Sequence, residues 1–171
     1  MAADPELCTF LEHTPFFGGL SAAALELIAT RLHQRRLPAG EAVFRQGEQG
    51  GSMFVVREGA LVVLHQATPG ESEVKLTRLL AGDFFGEMTL IEMQPRSASV
   101  IAETAAVLLE LSARDLYELY KQDLRAYVLV VQNINRELCR RLRRTSARLS
   151  EWASYSDDRS TQVNLSPIKP G

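Results

Sequence analysis

The segment FGEMTLIEMQPRSASV, residues 85 to 100, sets one acid beside a glycine and one arginine between a proline and a serine in otherwise apolar surroundings. Gly86 can open a single helical turn, and the backbone amides of Gly86, Glu87 and Met88 then point outward, an arrangement that attracts anions. Arg96, its approach stiffened by Pro95, carries a planar fork able to give two charge-assisted hydrogen bonds to a phosphate. Ser97 adds a hydroxyl and an amide. Glu87 imposes the opposite requirement. A carboxylate beside an anion is repelled unless the ligand also brings it a hydrogen-bond donor, and a ribose hydroxyl does so. The same two residues could instead pair with each other across a loop, as most Glu and Arg do in small proteins, and spacing alone leaves both readings open.

The elements around the segment follow from periodicity. Ser21 opens a stretch whose apolar Leu25, Ile28 and Leu32 share one helical face, which predicts a short helix over 21–34. From Leu37 to Leu111 the pattern changes to short β-rich runs such as EAVF, MFVV, ALVVL, EVKLTRLL, SASVIA and AAVLLEL. Turns at Gly40, Gly47, Gly59, Gly70 and Gly82 punctuate them at intervals of 7, 12, 11 and 12 residues, the spacing of an antiparallel sandwich or jelly roll. Ser112 and Asp115 form a capping-box pattern, after which no Gly or Pro interrupts the chain as far as Ala153. A break near Gln122 and Asp123 divides this stretch into a short and a long helix.

Along the long helix, Leu124, Val128, Val131, Asn135, Leu138, Leu142, Thr145, Leu149 and Trp152 alternate spacings of four and three, an unbroken heptad seam. No other helix of similar length is expected in the chain to receive it, so the seam predicts a second copy, with Val128, Val131, Asn135, Leu138, Leu142, Thr145 and Leu149 in the dimer interface. A polar residue such as Asn135 within the seam sets register at some cost in stability. The expected organisation is an N-terminal segment over 1–20, a β-domain with flanking helices over 21–123, a dimerisation helix over 124–153, and a polar, disordered tail over 154–171.

Composition excludes several classes. With 46% hydrophobic residues in 171, the chain can build a core, and its net charge of −2 names no partner. Cys8 and Cys139 match no metal spacing and suit reduced thiols. The N-terminus has no secretory pattern, and YVLVV at 127 to 131 is too short to span a bilayer, so a cytoplasmic protein without membrane contact is expected. His13, His33 and His65 share no ligand spacing, which argues against a metal enzyme on a similar roll. The arginines at 136, 140, 141, 143, 144 and 148 read as solvated flanks of a coiled coil, and direct DNA binding is not expected.

FGEMTLIEMQPRSAS resembles the phosphate-binding cassette of the cyclic nucleotide-binding domain family, whose pattern is FGE, a short apolar helix, then PR, a small residue, A, and S or T. PFFGGLS, LPAGEAVFRQGEQGGSMFVVREGALVV and LLAGDFFGEM resemble the family's other blocks, so the likeness runs from residue 10 to about 153. It implies an eight-stranded antiparallel β-roll with an N-terminal helix and a long C-terminal helix. It also implies a cAMP or cGMP ligand, with Gly86 and Glu87 on the ribose 2′-hydroxyl and Arg96 and Ser97 on the cyclic phosphate. Val63, Leu76 and Thr77 fall where the family lines the purine, with packing the first role expected of Val63 and Leu76. Two departures stand out: Thr89 replaces a usually small residue, from which tighter packing is expected, and the acid often found near 51 or 52 is missing.

Within the family the sequence is most similar to the bacterial cyclic-AMP receptor branch, through RRLRRTSARL at 140 to 149. By that likeness Thr145 contacts adenine within its own subunit, and Ser146 reaches the nucleotide held by the other. The implied protein is a non-catalytic cAMP sensor that relays ligand binding through its C-terminal helix to an unidentified protein partner. A cGMP sensor is the alternative, as is a truncated transcription regulator, since too little chain follows Trp152 for a helix-turn-helix domain. If the base assignment holds, Thr145→Ala or Ser146→Ala narrows the preference for cAMP over cGMP in competition titrations. Equal losses for both nucleotides would count against base reading by these hydroxyls.

Overall fold

A computed structural model describes residues 4–68 and 70–162. Two four-stranded antiparallel sheets face each other. One has the order β1 (His33–Leu37), β8 (Ala106–Ser112), β3 (Ser52–Glu58), β6 (Phe84–Phe85); the other has β2 (Ala42–Phe44), β7 (Ser99–Ala102), β4 (Ala60–His65), β5 (Val74–Leu80). This is the eight-stranded roll that the family resemblance implied, and it is of the sandwich or jelly-roll class expected from the run of short β-segments. β3 and β8 are the longest paired strands of the first sheet, and both are near-continuous apolar runs because both of their faces are buried.

Alternation along these strands sorts their side chains into two layers. Phe54, Val56, Phe85 and Leu108 point into the cluster between the sheets, with Phe44, Leu61, Leu79 and Val100 from the second sheet. Met53, Val55, Phe84, Leu109 and Leu111 are buried on the opposite face. Helical segments cover that face: Phe16, in the 3-10 turn Pro15–Phe17, meets Phe84 edge-on at 4.8 Å. Phe84 and Phe85 therefore work on opposite sides of one sheet, and the chain leaves them at Gly86.

Helix α1 (Pro5–Glu12) starts at Asp4, whose carboxylate caps Glu6 N, and it was not foreseen within the segment 1–20. Ser21 caps α2 by accepting from Ala24 N, but α2 (Ala22–Ala29) stops short of the 21–34 span. Residues 33–37 form β1 instead. Only Leu37 of HQRRL is buried, so nothing local announces a strand; pairing with β8 imposes it.

α4 (Ala113–Gln122) begins with the full capping box between Ser112 and Asp115. Asp123 ends it and accepts from Ala126 N, capping α5 (Leu124–Gln162). α5 runs past residue 153 to Gln162, so the expected disordered tail is helical over 154–162; its remainder lies outside the described residues.

The chain divides into two compact units, one ending at Asn133 and one beginning at Ile134. Within the first, buried Asn133 donates from Nδ2 to the carbonyls of Phe16 and Gly18, both at 2.9 Å, fixing the root of α5 to the 3-10 turn. Asn135, the polar seam residue singled out above, is exposed. In the second unit Glu137 collects Arg140, Arg141 and Arg144.

Candidate functional site

The cassette is built around one buried guanidinium. β6 pairs with β3, Phe54 opposite Phe85, and delivers the chain to Gly86, whose φ of +77° is a left-handed conformation suited to glycine. Glu87 follows as the N-cap of a single helical turn, α3 (Met88–Glu92), and its side chain is only 2% exposed. Met93 closes the turn with a left-handed φ of 53°. The chain then returns through Pro95 to Arg96, which is 6% exposed.

Arg96 is held at both its backbone and its side chain. Its N–H donates to Glu48 O and its carbonyl accepts from Gly47 N, both at 2.8 Å, so the loop between β2 and β3 clasps it like an extra strand. That loop is itself fastened: Gln46 N donates to Ser99 Oγ, and Gln46 and Gln66 exchange two amide hydrogen bonds. The guanidinium carbon lies 4.0 Å above the centre of the Phe44 ring and 5.8 Å from that of Phe54. Nη1 donates to Gly86 O at 3.1 Å and to Thr89 Oγ1 at 3.2 Å. Nε is buried with no hydrogen-bond partner.

Two glycines make this position possible. A Cβ on Gly50 would sit 2.4 Å from Arg96 Nε, and one on Gly86 would sit 2.7 Å from Nη1. Neither could carry a side chain without displacing the guanidinium. Burial pulls the arginine's pKa below its ordinary value, and the carboxylates of Glu110, Glu48 and Glu87 oppose that pull. The result is a desolvated cation seated on aromatic rings, with a donor still to be satisfied. Such a group has a high affinity for an anion that reaches it.

Gly86, Glu87, Met88, Arg96 and Ser97 thus come together at one place. Ser97 Oγ lies 3.8 Å from Met88 Sδ, and its carbonyl is 3.1 Å from His65 Nδ1. Val63 packs against the inter-sheet cluster and stands opposite Thr77, which is exposed. Leu76 does not pack as expected. The register between β4 and β5 skips it, Val63 pairing with Thr77 and Leu64 with Lys75, so Leu76 sits in a bulge and is 49% exposed. Thr145 and Ser146 belong to the second unit, where both are exposed and Thr145 Oγ1 donates back to Arg141 O.

Sequence reasoning passed over Phe44, Gly50 and the Gly47–Glu48 backbone, all of which hold Arg96 across more than forty positions of chain. The turn at Gly47 and the doublet Gly50–Gly51 marked the loop but not its contact with Arg96. Thr89, expected to tighten packing, is buried and uses its hydroxyl in the polar cluster with Arg96 and Gly86.

The profile of the cyclic nucleotide-binding domain family matches residues 34–123, which contain this whole assembly. The chain belongs to that family. A cyclic nucleotide-gated potassium channel of Rhizobium etli is 46% identical over 101 residues, 59% of this chain and 26% of the channel. The cyclic AMP receptor protein of Thermus thermophilus is 33% identical over 139 residues, 81% of this chain and 62% of that protein. The crystal structure of the Thermus thermophilus catabolite activator protein superposes with a TM-score of 0.71 at 31% identity, covering 81% of this chain and 63% of that one. The chain therefore spans less than two thirds of the length of each of these relatives. Among the described residues, no helix is long and apolar enough to cross a membrane, and no group of three or more His, Cys, Asp or Glu could hold a metal ion.

Proposed function

We propose that the chain is a sensor that binds a cyclic nucleotide, cAMP in preference to cGMP, and acts by binding alone. The observation that carries this reading is the buried Arg96 guanidinium with its unpartnered Nε. Burying a cation with one donor unpaired is costly, and an anion bound there would offset that cost. A cyclic phosphodiester, singly charged and with two free oxygens, is small enough to do so. In this reading Arg96 and Ser97 take the phosphate, the Gly86 backbone and Glu87 take the ribose 2′-hydroxyl, and Met88 borders the sugar.

Val63, Leu76 and Thr77 would line the purine. The exposure of Leu76 at its bulge supports this, since it leaves an apolar side chain uncovered beside Thr77 on β5. The preference for cAMP draws on the likeness to the Thermus receptor named for that nucleotide. The heptad seam supports a second copy as partner, because Leu124, Val128, Leu142, Leu149 and Trp152 are all exposed on the single chain. Ligand binding would then be relayed to a further protein through α5.

Calorimetric titration of the full chain with cAMP, cGMP and 5′-AMP tests the proposal. Saturable binding of cAMP, weaker binding of cGMP and little of 5′-AMP are expected. Absence of binding by both cyclic nucleotides would reject the site, and a monomer in sedimentation of the same samples would reject the second copy.

A further inference from the structure

We propose that Thr89 is a positioning residue whose hydroxyl, placed between Arg96 Nη1 and the Gly86 carbonyl, determines which edge of the guanidinium faces the ligand's phosphate. The inference rests on reading the site as a cyclic phosphate pocket. It follows from counting donors and acceptors. Nη1 has two N–H groups: one goes to Gly86 O at 3.1 Å, the other to Thr89 Oγ1 at 3.2 Å. The Thr89 proton goes to Gly86 O at 3.0 Å. Both Nη1 donors, the threonine hydroxyl and both carbonyl lone pairs are then used. All three groups lie in buried or half-buried surroundings, with Thr89 itself 6% exposed.

Nη1 is thereby turned toward the cassette, and the edge formed by Nε and Nη2 is left over. That edge presents two parallel N–H groups, the geometry that meets two phosphate oxygens at once. Gly50 packs against the guanidinium on this side, since a Cβ there would come within 2.4 Å of Nε, 2.6 Å of the guanidinium carbon and 3.0 Å of Nη2, so glycine is what lets the arginine hold this orientation. Without the hydroxyl, Nη1 is held by Gly86 O alone. The guanidinium can then rock over the Phe44 ring and offer its other edge, with one Nη1 proton buried and unpaired. The threonine also ties Arg96 to the same carbonyl that shapes the Gly86 turn, so the phosphate and sugar ends of the pocket are set by one polar cluster.

Thr89→Val keeps the shape and removes the hydroxyl; Thr89→Ser keeps the hydroxyl. The probes are cAMP and its two phosphorothioate diastereomers, each with a different exocyclic oxygen replaced by sulfur. The parent protein should discriminate between the diastereomers. Thr89→Val should bind cAMP about tenfold more weakly, the worth of one hydrogen bond to a charged group, and discriminate less. Thr89→Ser should restore both properties. In an Arg96→Ala background Thr89→Val should cause no further loss, because its effect passes entirely through the arginine. If Thr89→Val does not fold, Thr89→Ala carries the same expectations. Parent-like affinity and discrimination in the valine or alanine variant, or an equal loss with Arg96 absent, would overturn the proposal while leaving the phosphate site standing. Failure of the parent to bind any cyclic nucleotide would instead bring down the site on which it rests.

Discussion

Arg96→Ala should weaken cAMP binding by roughly 2 to 5 kcal/mol, on the order of 30-fold to several thousand-fold, while the free protein melts at the parental temperature or above it. The two halves of this result have one cause. The guanidinium is buried, carries an unpartnered Nε, and has its charge disfavoured by desolvation, so removing it relieves a cost. In the complex the same desolvation makes its bonds to a phosphate strong, and their loss is felt in full. cAMP should therefore raise the melting temperature of the parent by mass action and leave that of the variant unmoved at the same concentration. Arg96→Lys should recover little affinity, because an ammonium cannot reproduce two parallel donors over an aromatic ring. An Arg96→Ala variant that binds cAMP as tightly as the parent would remove the phosphate site from Arg96.

Phe44→Ala should have the largest effect on the fold, destabilising it by about 3 to 5 kcal/mol and lowering the melting temperature by roughly 6 to 20 °C. Phe44 is buried between the sheets, 5.8 Å from Phe85 and 6.0 Å from Phe54, with Arg96 resting on its other face. Truncation leaves a ring-sized void in a cluster whose neighbours come from both sheets and cannot collapse inward together. Phe44→Leu refills much of that volume without the ring's electron-rich face. It should cost less stability yet still weaken cAMP binding several-fold, as expected from about 0.5 to 2 kcal/mol of cation–π attraction. Thermal melts and titrations of the two variants separate packing from the seat of the arginine. A parental melting curve for Phe44→Ala would contradict the placement of this ring in the core.

The backbone of the cassette was legible because its turns are local, whereas its ligand role was legible only through the family resemblance. Gly86 needs its left-handed turn, Glu87 begins a helical turn one residue later, and Pro95 precedes Arg96, all within a dozen positions. The capping box of Ser112 and Asp115 was legible for the same reason, as was the heptad spacing along α5. β1 was not. His33 to Leu37 carries a single buried side chain, and the apolar spacing of α2 continues to Leu32, just before the segment that β8 claims by backbone pairing. The bulge at Leu76 was hidden likewise, because register is a property of two strands and not of one.

From its sequence alone this protein is determined as an antiparallel β-sandwich or jelly roll followed by a long amphipathic helix, since periodicity, caps and turn residues act over a few neighbouring positions, while the role of its cassette came from the family resemblance. What surrounds Arg96 was decided only by the tertiary structure: the Phe44 ring beneath it, Gly50 against its Nε, the Gly47–Glu48 backbone along its main chain, and the Thr89 hydroxyl on Nη1. Most of these partners lie far away in the chain and meet the arginine only when β2, β3 and β6 are brought together. The sequence names the charge; the packing of the sheets buries it and leaves its Nε without a hydrogen-bond partner.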